Sequence, residues 1–579
     1  VASLKLIQFS GEIPRLLPRL LPDTGASHAE NVRLDDGGLT PVRGYRQEAV
    51  ITGITAGNVK TIFKNGTEWL AWDKVVHAAP GPVATDRLYF TGDGKPKMRY
   101  AGVNYDLAVP APSTALSGSV SGTGTGTVIT RLYCYTYVTD LGEESAPCPI
   151  SADINWQSGQ TVTLSGFAAP PGGRLITKQR IYRSQSSNQS GTGLFLLEER
   201  VASTSNFVDT YAPDAFQEAL PSLDWDSPPD DLTGLIALPN GMMAAFSGKD
   251  LYFCEPFRPH AWPEKYVLTM SYAIVALGAF GNTIVVATEG QPEIVTGNSP
   301  DSMTQEKLET NLPCLNPRGM VDLGYAVAYP SNDGLVVVDS SGPKIKNELF
   351  TRPQWQKLSP ATLVAAQFSG RYVASYSYTE IDGTPAQGTI IIDLTGEQPF
   401  LLRGGDRADA MAFDIKTGAL YQVFGTDIRE WDALGQVNSI MTWLSKQFVL
   451  PAPASFGAIL VEKATSPLGE SEQAQADAKA AIVAANAAAF AQDSIGGEFN
   501  GAAMNAYAID GDDMHPLPAD LCATVEVYAD DALVASISTL DTVKRIAPVR
   551  AKNWQVRVLG TQPLAQITLA TAARELNEV

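Results

Sequence analysis

Four histidines, five cysteines and two aspartate-rich stretches are the residues of this chain that could do chemistry. His28, His77, His260 and His515 are scattered, without the spacing that would bring two imidazoles onto one metal. No segment reads H-E-x-x-H, G-x-S-x-G or G-x-x-x-x-G-K-[ST]. Cys134, Cys148, Cys254, Cys314 and Cys522 are odd in number, and no two stand at C-x-x-C spacing. Buried free thiols are therefore expected, not a disulfide scaffold or a zinc site, although Cys134 and Cys148 could flank one hairpin. Asp510-Gly511-Asp512-Asp513 clusters oxygen donors as a hard cation requires, but the bidentate acid of a calcium loop is missing, and a solvated turn is the expectation. Asp224, Asp226, Asp230 and Asp231 could supply paired carboxylates for glycoside hydrolysis, yet they lie among prolines, as an interdomain connector would. No catalytic residue, cofactor or metal ligand is assigned.

Two other segments have the residue types of an interface. Gly11 to Pro22 reads GEIPRLLPRLLP, whose prolines forbid a regular helix and leave an extended arm carrying Arg15 and Arg19 between leucines. Such an arm either staples the chain's own domain or lies on a neighbouring subunit. Leu251 to Pro263, LYFCEPFRPHAWP, follows a strand with a proline-guarded loop, and the reading is that it displays Phe257, Arg258 and Trp262, types enriched at interface hot spots. The alternative is a loop tucked over its own domain.

The elements that must position these residues are mostly strands. Fifty glycines and 38 prolines without a collagen period imply many turns. Residues 1–45 form the arm, and 46–110 give short strands, including a hairpin signal at Lys64-Asn65-Gly66 between Thr61-Ile62-Phe63 and Glu68-Trp69-Leu70-Ala71-Trp72. Residues 111–127 are small and polar and read as a linker. Over 128–218 the stretches YTYVTDLGEESAP, KQRIYRS and FVDT resemble a fibronectin type III or immunoglobulin-like sandwich, expected either as a rigid spacer or, alternatively, as a carbohydrate binder. Over 219–435, apolar strand–turn–strand units begin at Leu235, Ile274, Met320, Leu363 and Ala410. A period near 40 to 50 is that of a β-propeller blade. With one or two units from the earlier strands, six or seven blades are expected, discontinuous in sequence around the inserted sandwich. Residues 436–579 read as a β-rich domain carrying an alanine-rich helix over about 467–495, opened by Ser466-Pro467 and stopped by Gly496-Gly497. That helix either packs in its own domain or lines a shared channel.

Charge narrows the function. The 579 residues carry 42 Lys and Arg against 62 Asp and Glu, a net charge of −20. So acidic a chain lacks the counterion-release term behind tight non-specific grip on nucleic acid. Hydrophobic residues at 44% and charged residues at 18% supply material for cores and exclude a disordered chain. No stretch has the roughly 20 apolar residues of a membrane span, and no secretory signal is read at the start.

The LYFCEPFRPHAWP stretch, the opening PRLLPDTGASHAENVRLDDGGLTPVRG, the MTWLSKQFVLP segment and the closing RAKNWQVRVLG and LATAAREL together resemble tail-nozzle, or tail tubular protein B-type, proteins of short-tailed bacteriophages. The resemblance spans most of the chain; the sandwich and the alanine-rich helix depart from it. It implies a non-enzymatic virion protein, assembled in the bacterial host cytoplasm. Six copies would form a ring beneath the portal and tail adaptor, around the channel through which double-stranded DNA leaves. Arg15, Arg19, Phe257, Arg258 and Trp262 are the expected subunit or adaptor contacts. A virion adhesin or glycan-binding propeller protein is the alternative, and a propeller glycosidase a further one.

Overall fold

The computed structural model describes residues 3–576 apart from 188–190, 216, 347, 381, 396–398, 465–469 and 494–515. The chain divides into two compact units, one of Val1–Asp73, Ala328–Val337 and Lys344–Val579, the other of Lys74–Val327 and Val338–Pro343. It is a mainly β protein whose recurrent element is the four-stranded antiparallel blade of a propeller.

In the second unit the strands His77–Pro80, Arg87–Thr91, Lys97–Tyr100 and Val103–Asp106 form one such blade. Thr233–Ala237, Met243–Ser247, Asp250–Phe253 and Leu268–Thr269 form a second, and Ile274–Phe280, Thr283–Thr288, Glu293–Thr296 and Thr304–Lys307 a third. Inner strands such as Met243–Ser247 and Thr283–Thr288 are buried along almost their whole length, as expected where a sheet is covered on both faces. Val321–Asp322, Val327–Pro330, Leu335–Asp339 and Gly342–Ile345 form a further four-stranded sheet, of which Ala328–Val337 and Lys344–Ile345 belong to the first unit.

Between the first and second blades sits the sandwich. Strands Tyr133–Thr139, Ile176–Ser187 and Gly191–Val201 make one sheet, and Ser117–Ser121, Thr161–Ser165 and Phe207–Asp209 another. Thr125–Arg131 pairs separately with Ile154–Ser158. Tyr133, Tyr135 and Tyr137, predicted to share one face, are buried in the sandwich core with Trp156, Val162, Leu164 and Phe207. The predicted linker 111–127 is not one. Ser117–Ser121 is a strand in register with Thr161–Ser165, and Leu116 lies in the core. Small residues serve packing there: a Cβ on Gly118 would fall 2.2 Å from Ile154 Cδ1.

The first unit holds two further blades. Ala410–Asp414, Ala419–Phe424 and Asp427–Glu430 are completed by Arg46–Val50 from the chain's beginning, with Asp427 opposite Val50 and Glu430 opposite Arg46. Val364–Phe368, Arg371–Thr379, Pro385–Asp393 and Phe400–Gly404 form a blade that continues through Ala26–Glu30 into the C-terminal strands, giving a 12-stranded sheet. The predicted hairpin is present, Thr61–Asn65 paired with Glu68–Trp72 around Gly66, whose φ of 64° is the left-handed value that glycine adopts without strain. Ala523–Ala529 alternates buried and half-buried residues along its whole length, the period-2 signature of a sheet face. The helix runs Glu470–Asp493; Ser466-Pro467 and Gly496-Gly497 lie outside the described residues.

The arm 1–45 is built into this unit, and is not a free extension. Ser3–Leu6 pairs with the strand Leu564–Ala570, and Ala26–Glu30 lies between Met441–Ser445 and Phe400–Gly404. Leu6, Phe9, Ile13 and Leu21 are buried. The alternation of prolines with apolar residues lets the segment snake across a sheet without forming one regular strand of its own.

Candidate functional site

The arm presents its polar tip because its flanks are fixed. On one side Glu12 is 4% exposed and accepts two charge-assisted hydrogen bonds from the Arg403 guanidinium, at 2.8 and 2.9 Å, and one from the Ala29 N–H at 2.9 Å. His28 Nδ1 lies 3.4 Å from Glu12 and its Nε2 lies 3.3 Å from Glu30. Burial opposes ionisation of Glu12, but His28, Arg403 and the Ala29 amide together hold its carboxyl below the usual range. The bond to Glu12 is the main reason that the His28 imidazole is pushed above its usual value. On the other side Leu21 is buried and the Gln447 N–H donates to the Pro18 carbonyl. Between these anchors Arg15, Leu17, Pro18, Arg19 and Leu20 are exposed, Leu17 by 56% and Leu20 by 62%. Two cationic side chains thus stand beside two solvent-facing leucines.

The second predicted segment splits in two. Phe257 and Arg258 are exposed, but Trp262 is 1% exposed and cannot be a surface contact. Its indole N–H donates to the Pro259 carbonyl at 2.7 Å, and its ring packs in a core with Tyr89, Met98, Leu235 and Cys254. The loop closes on itself through hydrogen bonds from Glu255 N to the Ala261 carbonyl and from Arg258 N to the Glu255 carbonyl, which turns Trp262 inward and Phe257 outward. Phe257 has φ 59°, a left-handed conformation costly for a large side chain, and its ring covers Gly241, where an added Cβ would meet it at 2.6 Å.

The same loop joins the sandwich to its blade. His260 Nε2 lies 3.0 Å from the Glu144 carbonyl oxygen, and the Arg258 guanidinium lies 5.5 Å above the Trp225 ring. Desolvation holds the His260 pKa down at about 3, so the ring is neutral. Beside it the buried Glu143 carboxylate pairs with Arg174 at 2.7 Å. Asp226 accepts from Trp262 N through its carbonyl and from Glu264 N through its carboxylate, Asp231 accepts from Ser247, and Asp224 and Asp230 pair with Lys265 and Lys95. Each of these four aspartates thus has a partner within the second unit.

Cys134, Cys148, Cys254 and Cys314 are buried free thiols and Cys522 is an exposed one. Burial pushes the Cys254 thiol up to about 12, which keeps it protonated and unreactive. Asp510 to Asp513 lie outside the described residues. Among the described residues no group of three or more His, Cys, Asp or Glu could hold a metal, and no helix is long and apolar enough to cross a membrane. The Glu12–Arg403–His28 cluster escaped sequence reading because its members stand up to 391 residues apart and match no spacing rule.

No protein-family model and no curated protein matches the chain. Solved structures that align with it include the Dos1 propeller (12% identity, TM-score 0.24, covering 61% of this chain and 90% of that one). The N-terminal domain of Nup159 aligns at 10% identity and TM-score 0.24, covering 46% and 70%. A putative gluconolactonase aligns at 9% identity and TM-score 0.21, covering 70% and 97%.

Proposed function

We propose that this chain is a structural virion subunit of the short-tailed phage tail-nozzle type, non-enzymatic, six copies of which form a ring around the path of the ejected genome. The observation that carries the reading is the arm tip: Arg15, Leu17, Arg19 and Leu20 are held out in solvent by buried anchors on both sides. Rigid display of guanidinium and leucine side chains lowers the ordering cost of docking, which suits them to a neighbouring subunit or tail adaptor. Phe257 and Arg258 provide a second such patch. The charge supports the same reading, since six chains of −20 would carry roughly −120 and a repulsive lining lets DNA pass without sticking. Assembly would take place in the host cytoplasm.

The test is the double variant Arg15→Glu, Arg19→Glu. Both side chains are exposed, so thermal unfolding should change little while light scattering shows loss of the oligomer. Intact rings at the same protein concentration would remove the arm from the interface.

A further inference from the structure

His260 stands in the seam where the sandwich meets the blades. Its side chain is buried, and its Nε2 donates to the Glu144 carbonyl oxygen at 3.0 Å, which leaves Nδ1 as the lone-pair nitrogen of the neutral ring. Nδ1 is buried and has no hydrogen-bond partner among the described residues. Charged groups reach His260 from every side of the seam. Arg87 comes from the first blade, Arg174 from the sandwich and Arg258 from the loop of His260 itself. The connector contributes the Trp225 ring, 5.7 Å away and edge-on. Against the three guanidiniums stands the Glu143 carboxylate, 2.7 Å from Arg174 and 3.9 Å from Arg87. The Glu144 carboxylate is turned away, accepting from Thr136, Arg180 and Tyr182. Arg174 also donates to the Leu107 carbonyl at 3.2 Å, and Leu141 packs on the core of Tyr89, Met98 and Trp262. Like His260 Nδ1, the atoms Glu143 Oε1, Arg174 Nε and Arg174 Nη1 are buried without a hydrogen-bond partner among the described residues.

Unmatched buried polar atoms make closure of this seam costly, and water satisfies every one of them once the seam parts. A second proton on the imidazole adds to that cost twice. It places a donor at Nδ1, where no acceptor stands, and a positive charge among three guanidiniums. We propose that the seam is an acid-operated latch, in which protonation of His260 releases the sandwich from the blades. The sandwich keeps its own core of Tyr133, Tyr135, Trp156 and Leu164, so it parts as a folded body. Burial, chiefly, holds the His260 pKa at about 3 in the closed seam, and the exposed ring returns to its ordinary 6.5. A lowered histidine value means that closure is at full strength above 6.5 and weakens as pH falls from 6.5 toward 3. From about pH 7.5 to about pH 5, still above the ordinary carboxylate values of about 4, the opening equilibrium grows about thirtyfold. The inference does not rest on the tail-nozzle reading, and ring formation neither requires nor reports it.

The experiment is amide hydrogen–deuterium exchange of the full chain between about pH 7.5 and about pH 5, read by mass spectrometry and corrected for intrinsic exchange at each pH. Peptides covering 141–146 and 257–263 report the seam, and the inner strand Thr283–Thr288 is the internal reference. The seam peptides are expected to gain exchange by about thirtyfold at the lower pH while the reference stays constant. His260→Gln keeps a donor for the Glu144 carbonyl but takes up no proton, and should abolish the gain. A second readout needs no variant. Deuterium exchange at the imidazole Cε1–H reports the protonation of His260 in the wild-type chain, and its midpoint is expected well below 6.5. Equal seam exchange at both ends of the range, a gain that persists in His260→Gln, or an imidazole midpoint at 6.5 would overturn the latch. A gain shared equally by Thr283–Thr288 would mean general unfolding and would overturn it as well.

Discussion

At the scale of single residues, the best-defined chemistry is electrostatic and structural. Replacing Glu12 by Gln leaves the half-buried Arg403 guanidinium without its counter-charge and removes one of the two carboxylates beside His28. A loss of about 2 kcal/mol is expected in chemical denaturation of the first unit. The pH dependence has two limbs. The Glu12 carboxyl lies below its ordinary 4.5 in the folded chain, so its contribution is complete above 4.5 and is lost as pH falls through the lowered value. The His28 imidazole lies above its ordinary 6.5, so its contribution is complete below 6.5 and disappears as pH rises through the raised value. Attachment of the arm is therefore strongest between about 4.5 and 6.5, and Glu12→Gln should flatten both limbs in a series of melts across pH. In the loop, Trp262→Ala removes a 1% exposed side chain and should cost about 3 to 5 kcal/mol, whereas Phe257→Ala should change stability by well under 1 kcal/mol and affect only assembly. Equal destabilisation by the two would contradict the inward and outward division of this loop.

At the scale of elements, the chain's beginning completes a blade formed near residue 430. Arg46–Val50 covers the edge of Asp427–Glu430, and a chain starting at residue 52 loses this strand together with Ser3–Leu6 and Ala26–Glu30 of the large sheet, so unpaired N–H and C=O groups are exposed at each place. Such a chain should aggregate on refolding, measured by turbidity; a soluble monomer melting like the full chain would mean that none of these strand pairings is needed. The helix Glu470–Asp493 is tied down chiefly at its first turns. Glu470 pairs with Arg43, Ser471, Ala474 and Gln475 are buried, and Lys479 pairs with Asp520. Beyond them Val483 is 55% exposed. An alanine-rich helix gains little by burying its own short side chains, which is why most of its length faces solvent.

At the scale of the whole molecule, much of the architecture was legible and the site much less so. Blade repeats showed because each must place an apolar strand, a tight turn and a second apolar strand at a near-constant period, as in Leu235 to Pro256 and Ile274 to Val295. The sandwich showed through its tyrosine alternation. Residues 111–127 misled because serine, glycine and threonine suit a linker and a thin, closely packed strand equally. Trp262 misled because an aromatic between prolines carries no sign of direction, and its burial is decided by backbone hydrogen bonds of the Glu255 to Ala261 turn. Glu12 and Arg403, or Arg131 and Asp209, meet only once the sheets have formed.

The central claim is that copies of this 61.7 kDa chain assemble into a ring. Electron microscopy of the purified full chain, with light scattering on the same sample at moderate salt, tests it most directly. The result expected is annular particles with a central opening and a mass about six times that of the chain; a monodisperse monomer at every concentration tested would contradict it.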